Sequence, residues 1–159
     1  MPASRREQIL ARVATLVTGT TPAGANVFRA RETAITRAVS PALVVLYGGG
    51  RSVQRIAVGV DQHSITVQLA IFVRGDPWDS LADAIDAVTH PLLMRDPMLT
   101  GWGVQLFREA DEVEAQEADR TAGTLTVPYR AVYLTRADDI TAAPGEVHGA
   151  VGHRKGAGG

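Results

Sequence analysis

Residues 63–74, HSITVQLAIFVR, place Ile65, Val67, Leu69, Ile71 and Val73 on every second position. That alternation gives a strand one uninterrupted apolar face. Beyond it the period changes, and Trp78, Leu81, Ile85, Val88 and Leu92 recur at helical spacing. The spacing predicts a helix over residues 77–89 lying on that face. Asp76 is its expected cap, Pro77 suits its first turn, and Pro91 should end or kink it.

The flanking segments follow the same logic. Ile9, Leu10, Val13, Leu16 and Val17 form one side of a helix over about residues 5–18. Ser4 with Glu7 reads as its capping box, and Gly19 as its stop. Residues 26–29 suit a short strand, and residues 42–47 an apolar strand covered on both faces. Gly48–Gly50 reads as a flexible loop ending that strand. Residues 55–60 should pair with 64–74 through a turn at Asp61-Gln62. Residues 103–113 and 125–135 read as an antiparallel pair with a polar, acidic tip over 114–123. From residue 137 the chain turns small, polar and glycine-laden, which predicts a mobile tail. The expected fold is therefore α+β: a mixed or antiparallel sheet of about 4–6 strands with two helices packed on one face. It comprises one domain over 1–136 and a flexible tail over 137–159.

Composition narrows the chemistry. Cysteine is absent, which removes disulfides, thiol nucleophiles and Cys-type zinc sites together. No apolar run approaches the ~20 residues of a membrane span, and the first residues lack the apolar segment of a secretory signal. Neither membrane insertion nor export is expected. The four histidines, His63, His90, His148 and His153, lack the close pairing of metal ligands. Asp79, Asp83 and Asp86 fall on the predicted helix's polar side, where solvation explains them. Tyr47–Ser52 follows a strand but lacks the lysine and spacing of a phosphate loop. No serine stands in a nucleophile elbow. Aromatics are 5% of the chain and do not interleave with basic residues, so no nucleic-acid stacking platform is expected. The sequence predicts no catalytic, cofactor-binding or metal site.

Charge is distributed unevenly. Residues 1–55 hold eight arginines against Glu7 and Glu32, while the remainder is acidic in balance. Such asymmetry would let a basic flank meet the acidic flank of another copy. Arg51 and Arg55, beside the glycines, are the candidate basic side of that interface.

Val73-Arg74-Gly75-Asp76-Pro77 leads into a helix of D-x-L-A-D-A-I-D type, and Thr124–Arg136, TLTVPYRAVYLTR, closes the sheet. In this layout the chain resembles the tail-terminator (minor tail, tail-completion) proteins of long-tailed bacteriophages and prophages, over about residues 5–136. The resemblance implies a non-enzymatic virion protein without cofactors, forming a ring, typically of six copies, on the head-proximal end of the tail tube. Its partners would be itself, the tail tube protein and head–tail connector proteins, with DNA only passing through. It would act in the virion tail, after assembly in the host cytoplasm. Under that reading the acidic cluster Glu109, Asp111, Glu112, Glu114, Glu117 and Asp119 is a candidate channel lining that repels DNA phosphates. The alternatives are another neck or tail component, such as a head–tail joining or tail tube protein, or a small-ligand or regulatory binding domain. The glycine-rich tail is outside the family's pattern.

Overall fold

A computed structural model describes residues 2–29, 40–116 and 119–145. Helix α1 (Arg5–Val17) precedes strands β1 (Val27–Arg29), β2 (Ala42–Ala57) and β3 (Val60–Arg74). Helices α2 (Trp78–Met94) and α3 (Pro97–Gly101) follow, then β4 (Gln105–Arg108), β5 (Glu112–Gln116) and β6 (Asp119–Arg136). The strands form one mixed sheet in the order β1-β2-β3-β6-β4, with β5 also on β6. Only the β1–β2 pairing is parallel. The α+β expectation therefore holds, with α1 and α2 as the covering helices.

The alternating strand works as its pattern dictates. Ile65, Val67, Leu69, Ile71 and Val73 are all buried, as are Leu125, Val127, Tyr129, Ala131 and Tyr133 on β6. The β3–β6 register runs unbroken from Val60↔Arg136 to Arg74↔Ala122. Against this face α1 buries Ile9, Leu10, Val13 and Val17, and α2 buries Ala82, Ile85, Thr89 and Leu93. Ser4 caps α1 as expected, accepting from the Glu7 N–H at 3.2 Å. The Glu7 carboxylate does not return the bond; it pairs with Arg29 at 2.9 Å.

Several boundaries differ from the sequence reading, each for a physical reason. Gly48–Gly50 is not a loop: β2 continues through it, with register shifts, to Ala57. A Cβ at Gly48 would lie 2.8 Å from Thr66 Cγ2, so the glycine lets β2 pass close over β3. The β2–β3 turn is Val58-Gly59, not Asp61-Gln62, because Gly59 (φ +74) takes the left-handed conformation a two-residue loop demands. Pro77, not Asp76, holds the N-cap position of α2, and no side chain caps it. Pro91 stays inside α2. The carbonyl that loses its helical partner there belongs to Ala87, an exposed residue.

The predicted phase of α2 is also corrected. Leu81 and Val88 are 43% and 39% exposed, while Ala82 and Asp86 face inward. The predicted strand over 103–113 is two strands, β4 and β5, broken at Glu109–Asp111. Beyond α2, where the sequence analysis predicts no element, lies α3, whose N-cap Asp96 accepts from the Leu99 N–H at 3.0 Å. An Asp-Pro pair opening a helix is its sequence signature.

The domain does not stop at residue 136. Ala142 is fully buried, the Arg136 N–H donates to the Ala142 carbonyl at 3.1 Å, and the Arg5 N–H donates to the Ile140 carbonyl at 2.8 Å. Main-chain bonds and one small side chain fasten this stretch, so no apolar periodicity announced it. Residues 146–159, the rest of the predicted tail, lie outside the described residues.

Candidate functional site

The residues singled out by charge are already engaged. Arg51 Nη1 donates to Glu109 Oε1, and Arg55 Nε donates to Asp61 Oδ1. Arg12 grips Asp96 in a two-pronged pair at 2.7 and 3.0 Å. That pair and the N-cap bond from Leu99 hold the Asp96 carboxyl below the usual carboxylate range against the cost of burial. The arginine-rich first part of the chain thus meets the acidic remainder within one molecule. The charge complementarity expected between copies is, at Arg51 and Arg55, internal.

The acidic cluster is divided rather than concentrated. Glu109 is tied to Arg51, and Asp111 lies 3.4 Å from Arg108. Glu112 and Glu114 are exposed on β5, opposite Thr126 and Thr124 of β6. Asp119 opens β6, and Glu117 lies outside the described residues.

Among the described residues, two apolar stretches stand exposed on separate elements. β1 pairs with β2 only at Leu43–Val45, so β2 beyond Tyr47 has β3 on one side and no strand on the other among the described residues. Val53, Ile56 and Val58 on this arm are 63%, 49% and 101% exposed. A bare apolar strand edge is a template for another chain. The second surface is the outward flank of α2 and α3. Leu81 and Val88 are exposed there, and Val88, Pro91 and Leu92 line an open groove of about 440 Å³ completed by Arg95, Asp96 and Pro97.

One polar constellation escaped the sequence reading. Arg108 on β4 makes two bonds, 2.8 and 2.7 Å, to Asp86 on α2. One turn further along α2, His90 Nδ1 lies 2.9 Å from the Tyr129 hydroxyl on β6. Burial pushes the Tyr129 phenol up, and the Arg108 charge partly opposes this. Asp, His, Tyr and Arg are the residue types of acid–base sites, but here Tyr129 is fully buried and Asp86 is only 9% exposed. The set fastens α2 to the sheet. Asp86 was assigned to the solvated face because sequence alone does not reveal that Arg108 stands opposite it.

Among the described residues, no group of three or more His, Asp or Glu side chains converges to hold a metal ion. His148 and His153 lie outside those residues. No described helix is long and apolar enough to cross a membrane. No family model and no curated protein matches the chain.

Proposed function

We propose that this chain is a structural subunit that closes into a ring at the head-proximal end of a phage tail tube. There it ends tube polymerisation and presents the surface that joins the head. The observation carrying this reading is the pair of dissimilar apolar surfaces on one chain: the β2 arm with Val53, Ile56 and Val58, and the α2–α3 flank with Leu81, Val88, Pro91 and Leu92. Two different patches that fit each other make a heterologous contact, and such contacts generate rings when the rotation closes. A self-complementary dimer would need one patch only.

The sequence resemblance supplies the biological setting, with six copies, the tail tube protein and head–tail connector proteins as partners, and the virion tail as location. The subunit acts by assembly, without enzymatic turnover or cofactor. Because Arg51–Glu109 and Arg55–Asp61 are internal, the ring contact is assigned mainly to apolar burial, which salt does not screen. Glu112 and Glu114, free of these pairs, are the acids best placed to line an opening that DNA must pass.

Deletion of the gene from the phage genome that carries it tests the role. Tails should grow to irregular, excessive length and fail to join heads, as seen by electron microscopy, and the gene supplied in trans should restore both. Tails of normal length that join heads in the deletion strain would remove the protein from this role.

A further inference from the structure

A small cavity of about 70 Å³ opens where the first turn of α1 meets the far ends of β3 and β6, lined by Ser4, Arg6, His63, Tyr133 and Ile140. Its volume is roughly that of two waters in the liquid. That suits one carboxylate or phosphate group and excludes a nucleotide. No acidic residue lines it. Asp61, two residues from His63, is paired with Arg55, and Glu7, next to Arg6, is paired with Arg29.

The polar side chains of the lining, Ser4, Arg6, His63 and Tyr133, can all donate hydrogen bonds. Tyr133 is only 4% exposed, yet its hydroxyl has no hydrogen-bond partner among the described residues. The hydroxyl is therefore open to a donor or acceptor that enters the cavity. Burial pushes its pKa up to about 12, so it keeps its proton and can donate. Ser4 Oγ accepts from the Glu7 N–H, which leaves its own O–H available as a donor. In the first turn of α1, the N–H groups of Arg5, Glu7 and Gln8 have acceptors; that of Arg6 has none among the described residues. The Arg6 guanidinium lies 4.5 Å from the centre of the Tyr47 ring and has no carboxylate partner among the described residues. The His63 ring stacks on Tyr133 at 5.0 Å, with Nε2 2.8 Å from the Thr135 hydroxyl. That contact holds the tyrosine ring in place.

We infer that this cavity is a binding site for a single small oxyanion, held by the Tyr133 and Ser4 hydroxyls, the Arg6 N–H and the Arg6 guanidinium at the positive end of α1. The carboxylate of a protein side chain or terminus and a free phosphate share this chemistry. The inference stands apart from the ring reading, since it rests on one chain alone.

The test is an NMR titration of the full-length, isotope-labelled chain at neutral pH and constant ionic strength, with sodium acetate in one arm and inorganic phosphate in the other. Saturable shifts should appear at the Arg6 and Glu7 amides and the Tyr133 ring. Tyr133→Phe deletes a hydroxyl with no protein partner, so it should fold normally and weaken binding about tenfold. Arg6→Gln, at an exposed position, should weaken it at least as much. Tighter saturation by acetate assigns a protein carboxylate, and tighter saturation by phosphate assigns the free anion. Shifts that remain linear, or that persist at equal affinity in Tyr133→Phe, would overturn the site.

Discussion

Truncating Ile85 to alanine should destabilise the domain by about 2–5 kcal/mol, while the same change at Leu81 should cost less than about 0.5 kcal/mol. Both residues belong to the apolar pattern of α2, and from sequence they look equivalent. In the fold they are not. Ile85 is 1% exposed and shares the buried cluster with Ile71, Val73 and Leu125, so its loss leaves a cavity between helix and sheet. Leu81 is 43% exposed, so its truncation opens no enclosed cavity. Denaturant unfolding of the two variants checks the rotation of α2 directly. Equal losses would mean the helix sits as its periodicity alone suggests.

Gly123→Val is the second large effect, expected at about 3 kcal/mol. Gly123 lies on β6 opposite Val73, where Trp78, the first residue of α2, rests on the strand. A Cβ at residue 123 would stand 2.5 Å from the indole Cε2 and 2.6 Å from Cδ2 and Cζ2. The contact is with a rigid ring rather than the end of a flexible chain, so the whole start of α2 must lift. Combining Gly123→Val with Trp78→Leu should recover part of the loss, because the double change removes the clash. Unfolding midpoints of the two single variants and the double variant measure that coupling. Strictly additive losses would show that the indole does not sit on the glycine.

How far the fold could be read in advance depended on the kind of signal each segment carries. β3 and α1 were legible because each presents one face to a core, and a single face imposes a period on its own residues. The path of β2 through Gly48–Gly50 was not, since it depends on Thr66 of the neighbouring strand leaving no room for a side chain. The place of Pro91 inside α2 was hidden for a similar reason: its cost in a helix depends on the surroundings of the carbonyl it orphans, which belongs to the exposed Ala87. Asp86 and Asp96 both lie in polar patterns, yet each is buried against an arginine distant in sequence, Arg108 and Arg12. The partner of a charge is fixed by topology, not by local pattern. The same holds for the oxyanion cavity, whose Tyr133 and His63 meet only through the β3–β6 register.

These internal pairs change what the charge asymmetry means. A basic first third and an acidic remainder looked suited to contacts between copies, but Arg12–Asp96, Arg51–Glu109 and Arg55–Asp61 close within the chain. The apolar surface available for assembly among the described residues is the edge of the β2 arm, which pairs with no described strand beyond Tyr47, and the flank of α2 and α3. A long strand edge with exposed valine and isoleucine is hazardous unless something covers it.

The ring is therefore best tested by the native mass of the purified chain, measured by light scattering on a sizing column over a range of concentrations and salt. The account predicts a closed species of about six copies of the 16.9 kDa chain, populated as concentration rises and retained in molar salt. It predicts reversion to monomer when Val53 and Ile56 are both changed to aspartate. A monomer at every concentration, or a six-copy species that survives the arm substitutions unchanged, would contradict it.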